Sequence, residues 1–208
     1  MWKRRILRRW AVLQAPLLFI LSMVFPVTAL AAYAYNYGDD EFRYSSDNLL
    51  YACEAWTNLG LTWSAYFGWQ FVESTVLANM PYGNGFYATC HGGPNVIYDN
   101  YGSPIYGGEI YTARQGDWKR LVYCDACCSA YDGSLAWGFG IQNGDGSLHC
   151  FLGWIGITYD SYEHSQWNYV FWNNVKNHNT IYNSAVAANR QWPLPESWRF
   201  YGNPNWAY

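Results

Sequence analysis

The chain predicts an α/β domain of three layers, with helices on both faces of a mainly parallel central sheet. Two observations carry this. Helical patterns alternate with short apolar runs, as when crossover helices connect parallel strands. Two of the runs, Phe86 to Cys90 and Arg120 to Cys124, pass directly into small-residue turns bearing reactive side chains, a feature of the carboxyl edge of a parallel sheet. No repeat, linker or low-complexity stretch divides residues 32–208, which read as a single domain.

The elements follow in order. Ser46 to Gly60 is helical, with Asp47 as cap and Leu49, Leu50, Cys53, Trp56 and Leu59 near one stripe. Ser64 to Asn79 is a second helix, with Phe71, Val72, Val76 and Met80 inward. Pro81 to Gly85 turns into the strand Phe86 to Cys90. Val96 to Tyr98 and Ile105 to Tyr111 form a small hairpin. After the strand Arg120 to Cys124 come a short helix, Ser134 to Ile141, and a turn, Gly144-Asp145-Gly146. Another apolar strand runs from Leu148 to Gly153. His164 to Asn177 is amphipathic, with Trp167, Val170, Phe171 and Val175 on one face, and Thr180 to Asn189 continues helically. The aromatic tail from Gln191 is expected to pack without regular structure.

Ahead of the domain, residues 1–31 have the makeup of a secretory signal peptide. Lys3, Arg4, Arg5, Arg8 and Arg9 are basic, Ala11 to Val24 is apolar, and Ala29-Leu30-Ala31 is a small-x-small cleavage site. The expectation is export, with no stable membrane insertion once the segment is cut; the competing reading is an uncleaved anchor. With 5 of the 12 basic and none of the 15 acidic side chains in that segment, 7 basic and 15 acidic remain, a net charge of −8. Binding nucleic acid by phosphate neutralisation is therefore not expected.

The six cysteines are Cys53, Cys90, Cys124, Cys127, Cys128 and Cys150. An exported chain permits disulfides, and between none and two are expected; adjacent Cys127 and Cys128 are a poor pair on geometry. Cys90, Cys124 and Cys150 lie in apolar strands as small hydrophobes. His149 reads as structural, and His164 and His178 as solvated helix residues.

The chemistry rests on Tyr87-Ala88-Thr89-Cys90-His91-Gly92-Gly93 and on Val122-Tyr123-Cys124-Asp125-Ala126-Cys127-Cys128-Ser129-Ala130. A thiol nucleophile needs a base within hydrogen-bond reach and donors for the oxyanion. Cys127 is the candidate nucleophile and His91 the candidate base. The N–H groups of Gly92 and Cys127 are candidate oxyanion donors, and Ser129 and Ala130 keep the turn small.

These two segments resemble the His-Gly and Asp/Glu-Ala-Cys-x-Ser/Gly elements of the caspase-like cysteine peptidases, the group of caspases, legumain, gingipain, clostripain and the CHAT-type proteins. The resemblance extends in order over most of residues 32–208. A hairpin follows the His in many members, as Val96 to Tyr111 does here. A helix follows the nucleophile turn, where Leu135-Ala136-Trp137-Gly138-Phe139 stands, and His149 to Trp154 corresponds to a strand lining the specificity pocket. The resemblance implies a caspase-like sandwich, a secreted endopeptidase with a His91–Cys127 dyad, a polypeptide substrate and no cofactor. Trp154, Asp160 and Glu163 follow the pocket strand and suggest an acidic pocket for Lys or Arg.

Other classes compete. Cys124, Cys127, Cys128, His149 and Cys150 superficially suggest zinc, although a closed site wants two separated ligand pairs. The 13 Trp and 20 Tyr allow a non-catalytic module, either an inactive caspase-like fold or a carbohydrate-binding domain with the tail Gly202 to Tyr208 as its stacking patch. The carbohydrate reading expects a β-sandwich. Asp39, Asp40, Glu41, Glu109, Asp160 and Glu163 offer carboxylate pairs without a distinctive setting.

Overall fold

The computed structural model describes residues 32–115, 119–142 and 148–208. The expected signal segment and the turn at Gly144 to Gly146 lie outside the described residues. Six strands form the central sheet in the order β2-β1-β3-β7-β8-β9. They are β1 (Tyr33–Gly38), β2 (Thr62–Phe67), β3 (Gly85–Thr89), β7 (Leu121–Asp125), β8 (Cys150–Trp154) and β9 (Trp198–Gly202). Neighbours from β2 to β8 pair in parallel, and β9 closes the edge antiparallel to β8. A small antiparallel sheet of β4 (Gly92–Gly93), β5 (Val96–Tyr98) and β6 (Pro104–Tyr106) follows β3.

Helices cover both faces, which gives the three layers. On one face, α1 (Ser45–Asn58), α5 (Tyr162–Val175) and α6 (Ile181–Gln191) bury Trp56, Trp167, Phe171, Trp172 and Ala185 against Tyr87, Tyr123 and Leu152. On the other, α2 (Glu73–Asn79), α3 (Gly107–Ala113) and α4 (Ser134–Gly138) bury Val76, Ile110 and Leu135 against Phe86, Val122 and Phe151. The alternation Phe86/Tyr87, Val122/Tyr123, Phe151/Leu152 sends successive side chains to opposite covered faces. Strands buried on both faces read as unbroken apolar runs, which is why β3, β7 and β8 stand out in the sequence. Much of the aromatic surplus is core: Trp56, Trp154, Trp167 and Trp172 are fully buried.

Four expectations are corrected. The helix expected over Ser64 to Asn79 is an edge strand, β2, then a 3-10 turn (Gly68–Gln70) and the short α2. Gly68 has φ of +55°, and a right-handed helix cannot propagate through a left-handed residue. The hairpin's second arm stops at Tyr106, and α3 begins at Gly107, where the Glu109 carboxylate accepts the Tyr106 N–H at 2.8 Å. The tail is not irregular: Trp198 to Gly202 forms β9, with Tyr201 opposite Phe151. Asp47 is not the cap of α1, which starts at Ser45 and carries Asp47 in its first turn, where a negative charge suits the helix dipole.

Candidate active site

The chain leaves β1 for β2 on one side and returns to β3 on the other, so the carboxyl ends of β1 and β3 flank a topological switch point. Crevices at such points are where α/β sheets bind ligands. Backbone hydrogen bonds extend the pairing past the strands: Asp39 N–H donates to Thr89 O (3.1 Å), and Cys90 N–H to Asp125 O (3.3 Å). His91 therefore emerges at the sheet edge beside the end of β1 and the turn after β7. Tyr98 N–H donates to His91 O at 3.0 Å. Gly92 pairs with Ile97 at the next, non-hydrogen-bonded position, so its own N–H points away from β5.

The turn after β7 is held by its polar atoms. Ser129 Oγ donates to Cys124 O (2.8 Å) and accepts Trp154 N–H (3.1 Å), clamping the turn between β7 and β8. Cys128 adopts φ of +55°, unusual for a non-glycine residue, and its N–H is anchored on Gly156 O at 2.8 Å. Cys127 is thereby left at the tip, partly exposed. Its sulfur accepts the Thr158 N–H at 3.3 Å. Among the described residues no acceptor takes the Cys127 N–H. The two turns touch: a Cβ added at Gly92 would lie 2.7 Å from Ala126 Cβ and 3.1 Å from Cys127 O, so only glycine allows this approach.

His91 and Cys127 line one cleft of about 240 Å³, with Phe42, Thr158, Asp160 and His164 among its other walls. The His91 ring packs against Phe42 with centroids 4.7 Å apart. His91 Nε2 stands 3.6 Å from Glu41 Oε2, and Asp39, Glu41 and His91 present ligand-type atoms within 4.8 Å of one another. Asp39 is buried, and burial, with the nearby Glu41 charge, raises its pKa despite the Glu41 N–H it accepts.

Beneath the Cys127 turn lies a polar network inside the core. Asp125 Oδ1 accepts from His164 Nε2 (2.6 Å) and Trp154 Nε1 (2.9 Å), and Oδ2 from Asn168 Nδ2 (2.8 Å) and Tyr87 Oη (3.2 Å). Burial alone would push the Asp125 carboxyl up. The His164 charge and these hydrogen bonds outweigh it and hold the pKa below the ordinary carboxylate value. Burial likewise opposes charging of His164, but the Asp125 carboxylate prevails and raises the imidazole pKa.

The structure places His91 and Cys127 on one cleft with Gly92 against the Cys127 turn; the sequence offered Asp39 and Glu41 only among undistinguished carboxylates and gave no sign of the Asp125–His164 pair. His164 is no solvated helix residue; it is buried. It sits three residues before Trp167 on the inward stripe of α5, a spacing that could have revealed it. The expected specificity trio separates. Asp160 lines the cleft, accepting the N–H groups of Arg43 and Tyr44. Trp154 is fully buried with its indole on Asp125, and Glu163 is exposed on the first turn of α5, outside the cleft lining. Ile157, Thr158 and Tyr159 form that wall instead. His149 bonds Lys119 O at 2.8 Å, a structural role, and His178 is exposed.

The rival sites do not assemble. All six cysteines are free thiols, and among the described residues the convergent ligand group is Asp39, Glu41 and His91 rather than the cysteines with His149. The carbohydrate reading loses its sandwich to the parallel sheet and its tail patch to the core, since Trp206 is buried and stacks edge-on with Tyr208.

No protein-family model matches the chain, and no curated protein matches it. Among solved structures it is similar to a structural-genomics protein from Geobacter sulfurreducens, with a TM-score of 0.54 and 13% identity over 83% of this chain and 94% of that one. The likeness is one of fold: a mixed α/β domain built on a mainly parallel central sheet.

Proposed function

We propose that the chain is a cysteine endopeptidase of the caspase-like group, exported after removal of residues 1–31 and acting on polypeptides. The observation that carries this reading is that His91 and Cys127, at the carboxyl ends of adjacent strands β3 and β7, line one cleft with their turns in contact. The β4–β6 sheet after His91 and α4 after the Cys127 turn fall where the resemblance expects a hairpin and a helix.

In the proposed reaction His91 takes the thiol proton of Cys127, and the sulfur adds to the scissile carbonyl carbon. The oxyanion that forms is held by the N–H groups of Gly92 and Cys127. Collapse breaks the C–N bond; His91 returns its proton to the leaving amine, and a thioester remains on Cys127. Water, deprotonated by His91, then attacks the thioester, releasing the carboxylate product and restoring the thiol. This dyad chemistry draws on no cofactor. With Trp154 and Glu163 outside the cleft, preference for a Lys or Arg side chain rests on Asp160, because the charge of Asp125 is taken up by His164.

The test is incubation of the purified protein with a mixed peptide library, read by mass spectrometry. New amide cleavages that vanish in Cys127→Ala support the reading. Absence of cleavage by folded wild-type protein, under reducing conditions that keep Cys127 free, would favour an inactive scaffold.

A further inference from the structure

The geometry points to a second use of His91: with Asp39 and Glu41 it forms a binding site for a borderline divalent cation of the zinc class, and occupation of that site silences the base. The inhibitory part rests on the dyad reading above; the binding part does not. Three ligands of two types converge, an imidazole and two carboxylates, with donor atoms within 4.8 Å of one another. In tetrahedral zinc sites, with metal–ligand distances of about 2.0–2.2 Å, ligand atoms lie roughly 3.5 Å apart. The Glu41–His91 pair, at 3.6 Å, already has that spacing. Closing the rest needs small movements of Glu41 and His91, whose side chains are 69% and 55% exposed. Asp39 is the fixed member. It is 1% exposed, and its Oδ1 accepts the Glu41 N–H at 2.9 Å. Its buried carboxylate offers a ligand atom to the same point as His91 and Glu41.

The ligand set decides the class of ion. Calcium and magnesium take oxygen ligands and gain little from imidazole; nitrogen with carboxylate oxygen suits zinc and its neighbours in the transition series. Three protein ligands leave a coordination position for water. Phe42 packs against one face of the imidazole and limits solvent access on that side, as the apolar shell around a metal site does. The consequence follows from the imidazole itself. Once Nε2 holds a metal, its lone pair is occupied and the ring carries its proton on Nδ1. Such a ring cannot accept the Cys127 proton, so cation binding and base function exclude each other.

Cobalt(II) is the probe, because its spectrum reports its ligands and six free thiols compete for zinc. Titration of the purified protein is expected to give visible d–d bands without a thiolate-to-cobalt charge-transfer band. Glu41→Gln, a change at an exposed side chain, is expected to weaken binding at least about tenfold, and Cys127→Ser to leave it unchanged. Zinc is then expected to stop alkylation of Cys127 by a thiol-reactive peptide, and a chelator to restore it. A thiolate band, or binding indifferent to Glu41→Gln, overturns the site. If alkylation depends on His91 but cobalt does not bind, the metal site falls and the dyad stands. If cobalt binds through Glu41 while alkylation ignores both metal and His91, the inhibitory role falls along with the dyad.

Discussion

Asp125 and His164 form an ion pair inside the core, Oδ1 to Nε2 2.6 Å apart, directly under the turn that presents Cys127. Asp125 is the last residue of β7 and lies two residues before Cys127, so whatever fixes its carboxylate fixes the turn. The pair and its partners Trp154 and Asn168 tie β7 and β8 to α5 at the base of the cleft.

Breaking one side of this pair leaves the other charge buried without its counter-ion. His164→Ala is expected to cost about 3–5 kcal/mol of stability, read as a shift in the urea midpoint at constant slope. Asp125→Asn removes the other charge and is expected to lose a similar amount. A double replacement that costs no more than either single one would show the two act as a unit; additive losses would contradict that.

The same pair sets a pH window. The depressed pKa of Asp125 means its contribution is present above the unfolded carboxylate value, roughly 3.9, and is lost as pH falls through the lower folded value. The raised pKa of His164 means its contribution is full below the model value of 6.5 and is lost as pH rises through the higher folded value. Stability is therefore expected to plateau between about pH 4 and 6.5 and to decline on both sides. Urea unfolding at stepped pH measures this. In the double variant Asp125→Asn, His164→Asn both limbs should flatten.

Contact between the His91 and Cys127 turns makes Gly92 sensitive. Gly92→Ala forces a methyl to within 2.7 Å of Ala126 Cβ and is expected to cost about 1–3 kcal/mol from overpacking. By parting the turns it should also slow modification of Cys127. Gly108→Ala is the control, because an added Cβ there meets nothing within 4 Å. Equal behaviour of the two variants in thermal melts and labelling would show that the turns are not packed as described.

What could be read in the sequence tracks what local pattern can encode. β3, β7 and β8 are buried on both faces, so each is a continuous apolar run, and the turns after β3 and β7 carry His91 and Cys127 in plain sight. β2 and β9 are edge strands whose pairing is decided by partners far along the chain: Thr62 to Phe67 is mostly exposed, and Trp198 to Gly202 finds β8 across two helices. The carboxylates around His91 were invisible for a related reason. Asp39, Asp40 and Glu41 read as a plain acidic run, and only the pairing of β1 with β3 carries Asp39 and Glu41 to the imidazole. His164 was different, since its place on the inward stripe of α5 was legible and only the assumption that a histidine faces water hid it.

The central claim is that His91 activates Cys127, and thiol labelling of the folded protein tests it most directly. Burial keeps competing thiols protonated: Cys53 is pushed up to about 12, and Cys90 and Cys124 well above the ordinary value. Cys127 and Cys128 are the partly exposed ones. Wild type, His91→Ala and Cys127→Ala are compared with a thiol-reactive peptide at neutral pH, with the modified residue located by mass spectrometry. The account predicts rapid labelling at Cys127, absent in Cys127→Ala and slowed by about a hundredfold or more in His91→Ala, the lower range of general-base contributions. Labelling of Cys127 at the same rate with and without His91, or preferential labelling of Cys128, would contradict it.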